Sequence, residues 1–320
     1  MRDEAQPVLT GQRRVSRSYW GISVRRLWRK KLGVACLAVI LLMYGAGVLS
    51  PLVTPYGYND QNLAEAKESP SLSHPFGTDR LGRDILTRII YGLRTTVIIT
   101  VTTLVTGSLA LGITLGLVAG YFGKIIDTII MRVGEVSSAF PEIFLVLIFI
   151  ATIKPTITGW VRGIGDTLGI DIVKLGIADY TVLSLALAIF SWFGMARLVR
   201  GQVLQVRENQ YVEAARSVGV STPSILFRHV LPNVLGPVIV VISAGLAAVA
   251  GSEVFLSFLG IGVQPPTPSL GLMIFENASI SVLRTNPHLL LFPVGTLTVL
   301  LFTFNLLGDS VNDAFNPRAR

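Results

Sequence analysis

Long apolar stretches alternate with shorter polar ones along the chain, and the alternation is coarse rather than residue by residue. The apolar stretches cover approximately 32–50, 95–119, 133–153, 181–199, 236–258 and 289–308. Each is close to the roughly 20 residues a helix needs to cross the hydrocarbon of a bilayer. The pattern predicts an all-α polytopic membrane protein with six transmembrane helices. It divides the chain into a basic tail over 1–31, a first span over 32–50, an outer segment over 51–94, a membrane core over 95–309 holding a polar loop at 200–235, and a tail over 310–320. The outer segment opens with turn chemistry at Pro51, Pro55, Gly57, Asn59 and Asp60. Toward its end Leu81, Ile85, Ile89 and Leu93 recur every four residues among Arg80, Arg83, Asp84, Arg88 and Arg94. That spacing predicts an amphipathic helix with a basic face, either lying in the membrane interface or packed on the membrane domain as a soluble helix would be.

Composition agrees with a membrane. The chain has 51% hydrophobic and only 14% charged residues, with a mean hydropathy of +0.62. So few charges would be unusual in a soluble chain of 320 residues. Placing the N-terminus in the cytoplasm puts 18 of the 27 Lys and Arg inside and nine outside. Much of the bias flanks the first span, at Arg25, Arg26, Arg29, Lys30 and Lys31. The same positions explain a net charge of +8 and a pI near 9.9 through anionic lipid headgroups, so no nucleic-acid partner is expected. The stretch from Leu32 is too long for a signal-peptide core and lacks a small-x-small cleavage site, so it is read as a span. The single cysteine, Cys36, falls within it, which rules out a disulfide framework inside the chain.

Several polar or small residues interrupt the apolar stretches. Ser108, Gly112, Gly116 and Gly120, spaced by four, form a ridge on which a second helix can pack closely in lipid. Glu135, Ser138 and Glu142 are expected on one face of the third span, kinked at Pro141. Glu135 can pair with Arg132. Glu142, deeper, either lines a pathway or makes a structural hydrogen bond. Glu253 is embedded in the fifth span and needs a partner, with a structural or gating role favoured over substrate contact. The Gly- and Pro-rich stretch that follows, including Gln264, Pro265 and Pro266, cannot be a regular helix and suits the rim of a pathway.

Residues 211–232 are a polar island between two spans. Glu213, Ala214, Ala215 and Arg216 favour helix. Gly219 sits where a helix commonly ends in a left-handed residue. Ser221 or Thr222 can cap a second helix with Pro223 in its first turn, and Pro232 is expected to stop it. The small face of Ala214 and Ala215 would admit another protein's surface. Glu213-Ala214-Ala215, then Gly219, then Leu231-Pro232 resembles the cytoplasmic loop of permease subunits of ATP-binding-cassette (ABC) importers. Three further stretches strengthen the resemblance: Phe76 to Asp84, Glu253 to Ser269, and Asn305 to Arg318. They are similar to the branch importing dipeptides, oligopeptides and nickel, in its second-permease form. Met131-Arg132 through Phe140-Pro141 also resembles the family, although the position held by Glu142 is more often small there.

The resemblance implies the five-helix core of type I ABC importer permeases, preceded by one further span, in a bacterial inner membrane with both termini cytoplasmic. It implies a second homologous permease subunit, two cytoplasmic ATPases and an extracytoplasmic solute-binding protein as partners. The ATPases, with ATP and Mg, would be coupled through Glu213, Ala214, Ala215, Gly219, His229, Leu231 and Pro232. This chain carries no G-x-x-x-x-G-K-[ST] phosphate loop, and His74, His229 and His288 lack metal-ligand spacing. It is therefore expected to hold no cofactor and to be a transport subunit rather than an enzyme. A gradient-driven secondary transporter and a non-transporting scaffold remain as other classes, and nickel or glutathione-like cargo as alternatives to peptides.

Overall fold

A computed structural model describes residues 19–169, 173 and 175–315. Its helices of six or more residues, in chain order, are α1 (Tyr19–Arg29), α2 (Lys31–Val48), α3 (Ile85–Phe122), α4 (Lys124–Ser138), α5 (Glu142–Leu168), α6 (Ile177–Val206), α7 (Gln210–Ser217), α8 (Thr222–Phe258), α9 (Leu270–Asn277), α10 (Ile280–Thr285) and α11 (His288–Phe315). Among the described residues no β-strand occurs, only an isolated bridge between Thr78 and Asp84. Six of these helices, α2, α3, α5, α6, α8 and α11, are long and apolar enough to cross a membrane. Large apolar side chains on their outer faces stay exposed, Leu42, Ile148 and Phe302 among them, as lipid-facing surfaces require.

The central helix is α3, which touches α2, α6, α8 and α11. Its first half joins Cys36 and Ile40 of α2, Val254 of α8 and Phe304 of α11 in one apolar cluster around Ile85, Ile89 and Leu93. Its second half packs on α6 through glycines. A Cβ on Gly112 would lie 2.7 Å from Met195 Cβ, on Gly116 2.6 Å from the Ala196 carbonyl, and on Gly120 2.7 Å from Val203 Cβ. The expected ridge therefore exists, with one correction. Ser108 is half-buried, and its place is taken by Gly107, whose Cβ would fall 2.8 Å from Ala188 Cα. Residues Leu104–Ile113 are π-helical, and the wider turn makes the local step five residues rather than four. Replacing Gly116 with leucine should cost about 1–3 kcal/mol or more of overpacking, read as a lower melting temperature of the detergent-purified chain. Gly159→Ala, with open space around that glycine, should not lower it.

The chain departs from its sequence pattern at four further points. First, no separate amphipathic helix precedes the second span. Helix begins at Ile85 and runs unbroken to Phe122, and Leu81 lies outside it. Ile85, Ile89 and Leu93 are buried, and Arg88, expected on an exposed basic face, is 2% exposed. The apolar side is packed on the membrane domain, as the second alternative had it, but as the start of a span, and the basic face is not free because Arg88 is neutralised inside by Asp79. Second, α4 ends at Ser138 and α5 starts at Glu142, so Glu135, Ser138 and Glu142 do not share a helical face. Pro141 adopts an extended ψ of 121° and begins a new helix instead of kinking one, in line with the restriction a proline places on the residue before it. Third, α5 passes Lys154 and Pro155 to reach Leu168, with Lys154 Nζ 2.7 Å from Asp179. Fourth, α11 continues to Phe315, burying Ser310, Val311 and Ala314, so the expected tail at 310–320 is helical for its first half. Residues 316–320, and with them Asn316-Pro317-Arg318, lie outside the described residues, as do 1–18 of the N-terminal tail. From Tyr19 that tail is helix α1, joined to the last span by Lys30 and Asp313 at 2.6 Å.

Candidate functional site

The polar island is a helix–turn–helix hung between the ends of α6 and α8. Asn209 adopts the extended conformation that opens α7. The helix closes at Gly219, whose φ is +78°. Gly219 N donates to Arg216 O, and Val220 N donates to Ala215 O, each at 3.1 Å. This pair of bonds is the Schellman closure, which needs a left-handed residue at the glycine. Ser221 occupies the cap position of α8, without a side-chain bond, and Pro223 lies in the first turn.

Val212 and Ala215 of α7 are buried against Ile225, Leu226 and Val230 and the later halves of α3 and α6, at Leu117, Val199 and Val203. Glu213 and Ala214 stay exposed, with Ser217 and Val218. The expected small face of Ala214 and Ala215 is thus divided: Ala215 seats the helix and Ala214 faces out. Cations brace the seat. Arg216 lies over the Tyr121 ring at 5.3 Å, Arg207 donates to Gly120 O at 2.9 Å, and Arg200 Nη2 donates to Asp127 at 2.6 Å. Pro232 is exposed, and His229 and Leu231 are half-buried.

Pro232 does not stop the second helix. Residues Ile225–Val230 widen to π-helical bonding immediately before it, and the helix then continues to Phe258. The missing proline N–H falls where the ladder changes period, so the helix passes through.

At the opposite end, Glu253 is fully buried. Its carboxyl accepts from Thr96 Oγ1 at 2.8 Å and Ser257 Oγ at 3.1 Å, so it bonds α3 to α8 and turns no atom toward an open path. The rim loop is fastened by Gln264, whose N–H donates to Asp179 at 2.8 Å and whose side-chain amide donates to Gly260 O at 2.9 Å. Pro265 is exposed and Pro266 half-buried beside it. Glu142 is exposed at the start of α5 and lines a cavity of ≈ 430 Å³ with Ser138, Phe193 and Arg197. It is the first residue of the span α5 rather than a deeper position in a span begun near residue 133, because the break at Pro141 precedes it. Glu135 and Arg132 pair at 3.0 Å, exposed.

The sequence pattern missed a clasp at this end of the molecule. Asp79 accepts from Leu81 N at 2.8 Å, Arg83 N at 3.0 Å, Arg83 Nε at 2.7 Å and Arg88 Nη1. Burial alone would raise the Asp79 carboxyl, but the Arg88 charge, the backbone donors and Arg83 outweigh it and hold the group below the usual carboxylate range. Beside it His74 Nδ1 lies 2.9 Å from Asp84, whose other oxygen caps α3 by accepting from Thr87 N at 2.7 Å. The signal was present as an acid followed by arginines at offsets of four and nine, too irregular to read as one site.

Comparison with known proteins matches residues 112–320 to the binding-protein-dependent transport system inner membrane component family. Residues 18–73 match the N-terminal transmembrane domain of oligopeptide transport permease C. The dipeptide transport system permease protein DppC of Bacillus subtilis is 35% identical over 96% of this chain and 88% of its own. The oligopeptide transport system permease protein OppC of Escherichia coli is 34% identical over 95% and 93%. The glutathione transport system permease protein GsiD of Pectobacterium atrosepticum is 35% identical over 95% and 91%. With a six-span helical body, a loop seated between two of its spans and these relatives along nearly all its length, the chain belongs to the binding-protein-dependent inner-membrane transport family, as a permease subunit of an ABC importer in the dipeptide and oligopeptide branch.

Proposed function

We propose that this chain forms half of a translocation pathway for di- or oligopeptides, beside a second, related but different permease. A permease of an ABC importer works with a separate ATPase and a solute-binding protein. In this reading two ATPases, carrying ATP and Mg, close beneath the pair. The exposed edge of α7, Glu213 and Ala214, sits in a groove on one of them. Closure then moves α7 as a body and rocks α3, α6 and α8, switching the pathway between outward- and inward-open states. The N-terminus and α7 lie in the cytoplasm, and the binding protein supplies most of the selectivity.

The observation that carries this reading is the division of α7 into a seated face and a free one. Val212 and Ala215 lock it to the spans, so a push on Glu213 and Ala214 is transmitted rather than absorbed. Mild-detergent purification of the tagged chain, with mass spectrometry, should recover a second permease and Walker-motif ATPases. Reproducible recovery of a folded chain alone would overturn the assignment of these partners. Uptake of dipeptides and longer peptides by the purified importer then tests the cargo against a glutathione-like alternative.

A further inference from the structure

A cavity of ≈ 400 Å³ lies where α3 and α6 begin, at the end of the bundle away from α7. Its volume is in the range of small-molecule sites. Arg94 of α3 lines it and is half-buried, yet among the described residues it forms no ion pair. Its neighbours Arg83 and Arg88 are both bound to Asp79, so the absence at Arg94 is specific to that side chain. A charge within a span is costly and faces water or a partner group.

A second feature points the same way. Ser184 of α6 lines the cavity at 2% exposure, and its hydroxyl has no hydrogen-bond partner among the described residues. Buried hydroxyls are normally satisfied. Between these two donors stand aromatic walls: Tyr58 and Tyr91, with ring centroids 4.9 Å apart, and Tyr180, whose hydroxyl lies 3.2 Å from Thr95 Oγ1.

We propose that this cavity binds the carboxylate end of a peptide, with Arg94 as its ion pair and Ser184 as an added donor. The proposal rests on the peptide-importer reading above. A guanidinium presents two parallel N–H groups to a carboxylate. The tyrosine rings cover the apolar part of a terminal residue. An acidic side chain from the second permease carries the same chemistry. It would leave most of the volume unfilled, whereas the end of a peptide brings a side chain and backbone to fill it, which favours the peptide.

The test uses the assembled importer in proteoliposomes, with a Thr181→Cys substitution on the cavity wall as reporter. The labelling rate of that thiol by an anionic methanethiosulfonate reagent is measured with trialanine or its C-terminal amide present, and trialanine uptake is measured alongside. Trialanine should slow labelling and the amide should not. Arg94→Gln should raise the trialanine concentration for half-protection about tenfold or more, and Arg94→Lys should restore part of it. Ser184→Ala should raise it by a smaller factor. Uptake without protection, or equal protection by both peptides, would overturn the site and leave the importer reading standing. Protection without uptake would keep the site and remove the importer reading. Loss of the second permease from the purified Arg94→Gln complex would overturn the proposal in favour of a subunit contact.

Discussion

Substituting valine for Gly219 should abolish peptide uptake while the chain still inserts and assembles, with ATP hydrolysis by the complex continuing uncoupled. The reason is conformational, since a Cβ at Gly219 would meet nothing within 4 Å. Its φ of +78° is the obstacle. A left-handed backbone costs an L-residue roughly 1–2 kcal/mol, and a β-branched one more. Relief comes by abandoning the two bonds that close α7, from Gly219 and Val220 to Arg216 and Ala215. Helix α7 would then lose its fixed angle to α8. Asparagine tolerates the left-handed region, so Gly219→Asn should retain much of the uptake. Comparison of ATPase and transport rates for the two variants reads the effect. Undiminished uptake by the valine variant would remove α7 from the coupling path.

Asp79→Ala should be the most damaging single change to stability. It takes the closest carboxylate from Arg88, which is 2% exposed, and leaves it, among the described residues, only Glu276, 3.8 Å away. Breaking a buried pair from one side costs about 3–5 kcal/mol. The expected result is loss of folded protein, or a large fall in melting temperature if it still folds. Arg83→Gln leaves the Asp79–Arg88 pair in place and should cost less. The pH dependence has a defined sign. The Asp79 carboxyl is held below its unfolded value, so its contribution is present above roughly pH 4 and is lost as pH falls below that. In thermal scans the gap between the wild type and Asp79→Asn should be full at pH 7 and narrower at about pH 3. A gap that is constant with pH would show that the carboxylate's charge is not what stabilises the segment leading into α3.

These two sites differ in how plainly the sequence announced them. Gly219 was readable because a helix closure is local: a few consecutive residues determine it, and the glycine marks the left-handed position. The spans were readable for the same reason, being continuous and apolar. What escaped notice depended on contacts between distant residues or on changes of helical period. Arg88 looked like a surface cation because only the folded chain brings Asp79 onto it. The start of α3 was hidden by its arginines, which a hydropathy window scores as polar although two of the nearby charges neutralise each other. Pro141 was legible as a disturbance but not as a complete break, and Pro232 suggested a break where none exists. In both cases the ladder around the proline decided the outcome, through extended backbone at the first and a widened turn at the second. Glu253 needed a partner, as its setting implied. That the partners were Thr96 and Ser257, rather than a passing substrate, could come only from the packing of α3 on α8.

The five-residue step between Gly107 and Gly112 reaches beyond local packing. A π-helical turn adds one residue without adding a turn, which offsets everything on its outer side by about 100° relative to a uniform α-helix. Residues 85–103 are therefore out of phase with 114–122 along what looks like one continuous rod. A helical wheel drawn through the whole of α3 misassigns one of its halves. Positions transferred from a relative with a regular helix here need a one-residue gap inside Leu104–Ile113; without it, Arg94 would be assigned the surroundings of its neighbour, Leu93 or Thr95.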